Sequence, residues 1–313
     1  MYSLNKRGVA GLGFLVGFMV VVGALIYFSP EPSTLNKEMA TISSKVTRPK
    51  PQNQSQTNKE TETVLDFKVD IDSGSASFAY NTSDEYIVIR NESNVPINLT
   101  GWKLKNSRAN RPYDRGGNIV YYPSEEALIP KGTSYISPVG TSPLQNIILK
   151  EGEDAIVTTG NIGSRSPYLI VSFKENICSG YLNSMPEYSF TPRLSKKCPL
   201  PEQELGVANL PYECQAFIRN LNRCEIPKFN AKDENGDTCS NCVNGQMLQS
   251  SCVEFIKTHY NYASCIALHG LDSNFYLSTW RIFLGKRWEM WAENRETISL
   301  FDQIGRLINS LSY

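Results

Sequence analysis

Cysteine carries most of the reactive chemistry in this sequence. All eight cysteines, Cys178, Cys198, Cys214, Cys224, Cys239, Cys242, Cys252 and Cys265, fall between positions 178 and 265 of a 313-residue chain. An even number confined to one module reads as a disulfide framework in an oxidising compartment. Cys239-Ser-Asn-Cys242 also has zinc-ligand spacing, which Cys252, His259, Cys265 or His269 would complete. No second CxxC exists, and an oxidising exterior favours bridges over thiolates, so no metal is expected. A thioredoxin-like redox pair needs an electropositive setting, whereas Asp233, Glu234 and Asp237 crowd this one. Asp233-x-Asn235-x-Asp237 opens like a calcium loop, but Thr238 and Asn244 stand where the pattern requires Gly and Glu.

His259 and His269 are the only histidines, which excludes multi-His sites. His259 falls on the apolar face of a predicted helix, a core position. GxSxG, HExxH, P-loop and strand-linked GxGxxG motifs are absent from the soluble part, and Glu125-Glu126 and Glu153-Asp154 read as solvated acids. Neither a cofactor nor an enzymatic activity is expected. Lys103, Lys105, Arg108, Arg111 and Arg115 surround one acid, Asp114, and form a candidate loop for an anionic polymer, headgroup or nucleic acid. Over the whole chain 31 basic residues balance 31 acidic ones, so no nucleic-acid partner is expected. Exposed Tyr113, Tyr121, Tyr122, Trp288 or Trp291 would offer stacking platforms to a polysaccharide. Asn81, Asn91 and Asn98 occupy N-x-[ST] sequons, relevant where the host glycosylates them.

Elements must position these groups. Pro211 to Leu221 predicts a helix with Pro at its start and Cys214, Phe217, Ile218 and Leu221 at helical spacing. Ser251 to about Ala267 predicts a second, with Cys252, Phe255, Ile256, His259, Ala263 and Ile266 on one face, and Lys228 to Gln246 between them reads as a polar loop. On continuous helices Cys252 and Cys265 stand about 19.5 Å apart, and Cys214 and Cys224 about 15 Å. A disulfide needs Cα atoms within roughly 7 Å. An antiparallel helical hairpin would join Cys214 to Cys265 and Cys224 to Cys252, provided that the second helix ends or turns near Tyr262. Cys178 would then pair with Cys198, and Cys239 with Cys242 or remain reduced.

Outside this insertion the pattern is β. Short runs recur from Leu65 to about Phe173: Glu85–Arg90, the alternating Val95, Ile97 and Leu99, Lys103-Leu104, Ile119–Tyr122, Tyr135-Ile136, Ile147–Gly152, Ala155–Thr158 and Tyr168–Val171. Many short strands separated by Gly, Pro and Asn indicate a β-sandwich. Glu85-Tyr86-Ile87-Val88-Ile89-Arg90-Asn91, followed by Val95-Pro96-Ile97-Asn98-Leu99-Thr100-Gly101-Trp102-Lys103-Leu104, resembles the opening of the lamin tail domain family. Trp280–Gly285 predicts one more strand, and Glu296–Asp302, Gln303–Gly305 and Arg306–Tyr313 are similar to that family's closing hairpin, with a less polar turn. The resemblance covers about 66–175 and 279–313. It implies an immunoglobulin-like sandwich and a non-catalytic interaction or scaffold role, often displayed at bacterial surfaces. Trp102 is expected in the core, where a Trp buries roughly 150–250 Å².

Val9 to Phe28 is a run of 20 residues without a charge, about 30 Å as a helix and long enough to cross a bilayer. A signal peptide would have a shorter run ending in small residues, whereas this one ends in Ile26-Tyr27-Phe28. Gly13 and Gly17 form a GxxxG pair within it. Lys6 and Arg7 precede the run and no basic residue follows until Lys37, so the N-terminus is expected in the cytoplasm. Residues 29–64 lack aromatics and are rich in Pro, Ser, Thr, Asn and Gln, predicting a disordered stalk that reaches roughly 30–36 Å.

The expected protein is mainly β. A single-pass anchor (1–28) and stalk (29–64) precede an immunoglobulin-like sandwich (65–175 and 279–313), which is interrupted by a cysteine-rich helical hairpin (176–278). It would sit in the cell membrane, through residues 9–28, and present the sandwich outside to an unknown protein or surface polymer. A cell-wall or polysaccharide binder, and a redox or metal protein built on the insertion, are the alternatives.

Overall fold

Alternation of buried and exposed side chains sets the strand faces. In β2 (Tyr86–Asn91), Ile87, Ile89 and Asn91 point inward and their neighbours outward. The computed structural model describes residues 68–108, 112–121, 125–162, 166–229, 232, 235–237 and 239–313. The expected anchor at 9–28 and stalk at 29–64 lie outside the described residues. Among the described residues no helix is long and apolar enough to cross a membrane.

The fold is mainly β, with several sheets and few helices. Strand β1 (Val69–Asp72) precedes β2 and was not evident in the sequence. Then follow β3 (Ile97–Asn98), β4 (Lys103–Lys105), β5 (Pro112–Arg115), β6 (Asn118–Tyr121) and β7 (Glu126–Leu128). After these come β8 (Ile148–Leu149), β9 (Asp154–Thr158) and β10 (Phe173–Asn176). The insertion contributes α1 (Tyr212–Arg219), β11 (Cys242–Val243), β12 (Gln246–Met247), α2 (Ser250–His259) and α3 (Tyr262–His269). The chain returns through β13 (Tyr276–Phe283), β14 (Thr297–Phe301) and β15 (Leu307–Ser312).

Strands from both ends of the chain share sheets. The two larger sheets have the orders β1-β2-β9-β13-β10 and β15-β14-β4-β7, and β3–β8, β5–β6 and β11–β12 form two-stranded ones. β13 runs parallel to β9, with Trp280 opposite Ala155, and antiparallel to β10. β14 lies between β15 and β4, with Leu300 opposite Leu104. Ile87, Ile89, Val157 and Ile282 of the first sheet meet Leu104, Ala127, Ile298 and Leu300 of the second in one buried cluster, which includes Trp102. Each fully buried Ile or Leu contributes about 1.5–3 kcal/mol of transfer free energy.

Several expectations require correction. Tyr135-Ile136 and Tyr168–Val171 are not strands. The Tyr188 hydroxyl accepts from the Tyr168 N–H and donates to the Tyr168 carbonyl, so a side chain takes the bonds a ladder would have made. The edge strand forms two residues further on, as β10. β13 starts at Tyr276, inside the range read as insertion. The long second helix is two helices. Asn261 is extended and its side chain accepts from the Ser264 N–H at 2.9 Å, capping α3. Tyr260 and Tyr262, on either side, anchor in opposite directions. The Tyr260 hydroxyl donates to the Pro201 carbonyl, and the Tyr262 hydroxyl to the Ile136 carbonyl.

That break decides the disulfides. Four bridges form, as the even count implied, but three pairings differ from the hairpin expectation. The bridges are Cys178–Cys265, Cys198–Cys224, Cys214–Cys252 and Cys239–Cys242. α2 packs on α1 through Cys252, Val253 and Ile256. α3 instead joins the cluster that holds Cys178 and Phe173, near the sheet. Cys265 therefore cannot reach Cys214.

Candidate functional site

The β13–β14 connection, residues 284–296, is held by three buried polar side chains from distant parts of the chain, Glu85, Asn106 and Arg108, and by its own Glu296. Glu85, next to β2, accepts from the Met290 N–H at 2.8 Å and the Trp291 N–H at 3.0 Å. Asn106 donates to the Met290 carbonyl at 2.7 Å. Arg108 donates to the Glu289 carbonyl at 3.3 Å. Glu296 closes the loop on itself through the Ala292 N–H at 3.1 Å, and its other oxygen accepts from the Ser107 N–H and hydroxyl at 2.7 and 2.6 Å. The Glu296 carboxylate also lies 3.4 Å from Arg108 Nε. Buried polar groups persist when their bonds are met, and here they fix a loop rather than a helix or strand.

Electrostatically the cluster is an alternation of signs. Burial pushes the Glu85 carboxyl above its ordinary pKa, opposed by the two N–H groups and by Arg108. Glu85 and Glu296 are 1% and 0% exposed, so neither carboxylate reaches solvent. Both are spent on positioning.

The fixed loop forms one wall of a cleft of about 410 Å³. Glu289, Trp291, Ala292 and Glu293 face Ala79 and Tyr80 across it, with Arg108 buried at its base. Tyr80 lies in the β1–β2 connection, which is also braced. The Ser75 N–H donates to the Tyr86 carbonyl, the Gly160 N–H to the Thr82 carbonyl, and the Thr191 hydroxyl to the Asp84 carboxylate. The Tyr80 ring is left 85% exposed. Trp288, beside Glu289 in sequence, is also exposed.

Two other concavities offer less chemistry. One of about 290 Å³ is walled by Ile97, Trp102, Ile304 and Ile308. Its charged groups, Asp302 and Arg306, pair with each other at 2.7 Å. Another of about 230 Å³, between Ile136, Leu144, Leu169 and Val171, has only hydroxyls for polar contacts.

Of the expected anionic-ligand loop, the side chains of Lys103, Lys105 and Arg108 are described, and each is engaged by the protein. Lys103 and Lys105 both pair with Glu126, at 3.0 and 3.4 Å, and these lysines hold its carboxyl below the usual range. Arg108 turns inward to the cleft. Arg115 ends β5, and Arg111 lies outside the described residues. Of the expected platforms, Trp291 is buried and Trp288 is exposed, Tyr113 and Tyr121 belong to the β5–β6 hairpin, and Tyr122 lies outside the described residues. The acids expected to be solvated are engaged: Glu125 with Lys286 at 3.2 Å and Glu153 with Lys174 at 2.6 Å.

All eight cysteines are bridged, so Cys239, Cys242, Cys252 and Cys265 are not thiolates that could ligate zinc. His259 is half-buried and stacked on Phe255, ring centroids 3.7 Å apart. His269 faces Glu204 and Asp272. Asp233 and Thr238 of the calcium-like segment lie outside the described residues. Sequence reasoning missed Tyr80, Glu85, Glu289, Glu293 and Glu296. Glu85 meets Met290 and Trp291, 205 and 206 residues away, and Tyr80 comes to Glu289 and Glu293 only through the fold. Comparison of the chain with protein families, with curated proteins and with solved structures finds no match.

Proposed function

We propose that the chain is a non-catalytic interaction protein, anchored by residues 9–28 and displayed outside the cytoplasm. Its β part would be a lamin-tail-like, immunoglobulin-like sandwich. Two sheets around one core, joined by strands from both ends of the chain, support that reading. So does the opening motif, whose Trp102 lies in the core. Four disulfides favour an oxidising compartment.

One observation carries the interaction reading. The buried charges at the cleft are consumed in holding its walls, so the cleft is a preformed surface for contact. Preorganisation lowers the ordering cost of binding. Protease added to cells stripped of their wall should cut the stalk and release the folded domain; full protection would overturn the topology. A pull-down with the full chain from detergent-solubilised membranes should recover a partner, and Glu293→Lys at the cleft should abolish it.

A further inference from the structure

We infer that the face around Val139 is a contact between two copies of this chain; it goes beyond the interaction reading above and does not use the cleft. Residues 132–149 and 166–173 contain no charged side chain, in a chain that is 20% charged. The two segments meet at one surface, where Val139, Leu144 and Leu169 are 86%, 56% and 40% exposed. Beside Val139 lies the recess of about 230 Å³ walled by Ile136, Leu144, Leu169 and Val171, and its rim includes Ser137 and Gly140. Charge is depleted at the core of protein interfaces, and exposed apolar side chains gathered on one surface mark an interaction site.

The face is preformed. The Gly132 N–H donates to the Gln145 carbonyl at 3.0 Å and the Gln145 N–H to the Gly132 carbonyl at 2.7 Å, closing the neck of the loop between them. Ile136 is buried, and its carbonyl accepts from the Tyr262 hydroxyl. At the tip the Ser137 hydroxyl donates to the Val139 carbonyl and accepts from the Val139 N–H. All of these bonds hold backbone, so the exposed Val139 side chain is free for contact. A fixed surface loses less entropy on binding.

Charge and shape both select a second copy as the occupant. A bilayer surface is gripped by exposed Trp and basic side chains. Neither segment has any, and Tyr135 and Tyr168 pack against the cluster that holds Phe173. An unrelated protein would need only a knob or a recess to dock against. Here the Val139 knob and the recess lie side by side, as a two-fold contact requires, because each copy must offer both to the other. Such a contact also sets identical surfaces face to face, which a charged patch would oppose and an uncharged one does not. The recess is large enough, since an apolar cavity of about 150 Å³ admits benzene and the valine isopropyl group is smaller. Val139 of each copy then meets Leu144 of the other.

The test is sedimentation of the full chain in density-matched detergent at about 1–100 μM. The unaltered chain should dimerise. Val139→Lys and Leu144→Glu each set a charge against the apolar recess. Each alone should weaken the dimer at least roughly tenfold, with the melting transition unchanged because both side chains are exposed. An equimolar mixture of the two variants should restore it: the introduced lysine meets the introduced glutamate at one contact, and Val139 meets Leu144 at the other. A monomer throughout this range, a dimer indifferent to both substitutions, or a mixture that stays monomeric overturns the inference. A dimer lost only in Gly13→Leu/Gly17→Leu would assign pairing to the expected anchor and overturn it too. If the chain stays monomeric but captures a different membrane protein, and Val139→Lys abolishes that capture, the face docks that protein and self-association fails. Glu293→Lys tests the cleft separately, so either reading can fail while the other stands.

Discussion

His269 engages a carboxylate with each ring nitrogen: Nδ1 lies 2.8 Å from Asp272 and Nε2 3.0 Å from Glu204. A neutral imidazole has one N–H, and carboxylates supply none, so both contacts are met by the imidazolium. Burial lowers its pKa, but the bonds to Asp272 and Glu204 outweigh this and raise it. A raised folded pKa stabilises fully below the unfolded value, about 6.5, and the gain is lost as pH rises through the folded value. The stability difference between wild type and His269→Gln should therefore be complete in mild acid and shrink toward alkaline pH. A difference that grows with pH would exclude the charged clasp. Arg281 and Glu175 show the buried counterpart. Their 2.6 Å pair is 3% and 1% exposed, and Arg281 also donates to the Pro192 and Arg193 carbonyls. Removing one partner strands a buried charge, so Arg281→Met should cost about 3–5 kcal/mol in chemical denaturation. Neither cluster was legible in the sequence, because Glu204 and Glu175 lie 65 and 106 residues from their partners and leave no periodic trace. Trp102 was legible, since a Trp after an alternating apolar run has few places to go but the core.

Elements were readable where the signal is local. α1 starts after Pro211 as expected, and β14 and β15 follow the predicted hairpin closely. The split between α2 and α3 rests on Asn261 and Ser264, a cap three residues long inside an otherwise helical pattern. A turn near Tyr262 was required by the hairpin expectation and is present, but it carries Cys265 to Cys178 and not back to Cys214, which changes three bridges. Peptide mapping without reductant should recover Cys178–Cys265, Cys198–Cys224 and Cys214–Cys252; a Cys214–Cys265 peptide would restore the hairpin. The Cys178–Cys265 bridge closes a separation of 87 residues, and the chain-entropy relation assigns such a loop about 4.6 kcal/mol. Gly180 protects the neighbouring bridge, because a Cβ there would collide with the Cys224 sulphur and lie 2.9 Å from the Ser195 carbonyl. Gly180→Ala should thus lower the melting temperature with all four bridges oxidised. An unchanged melting temperature would mean that the Cys198–Cys224 segment shifts freely.

At the scale of the whole molecule, two ends of the sequence build one core around a bridged insertion. The alternation in β14 and β15 made the closing hairpin visible, but alternation does not name a pairing partner. That β13 would run parallel to β9 followed only from where the insertion returns the chain. The arrangement has a cost in cooperativity. β14 sits between β15 and β4, and its Ile298 and Leu300 are fully buried. Deleting residues 297–313 removes both side chains, about 3–6 kcal/mol of transfer free energy together, and exposes β4 as an edge. It also removes the bonds from Asn309 to the Val69 carbonyl and from Gln303 to the Thr100 carbonyl, at 2.7 and 2.6 Å. Domains are stable by only about 5–15 kcal/mol, so the shortened chain should aggregate or unfold without a sharp transition. The complementary fragment 65–175 lacks β13 as well, which leaves β9 with one neighbour instead of two, and it should not fold. Sharp, reversible melting of 65–175 alone would show that the core is complete before the insertion and that the C-terminal strands only decorate it.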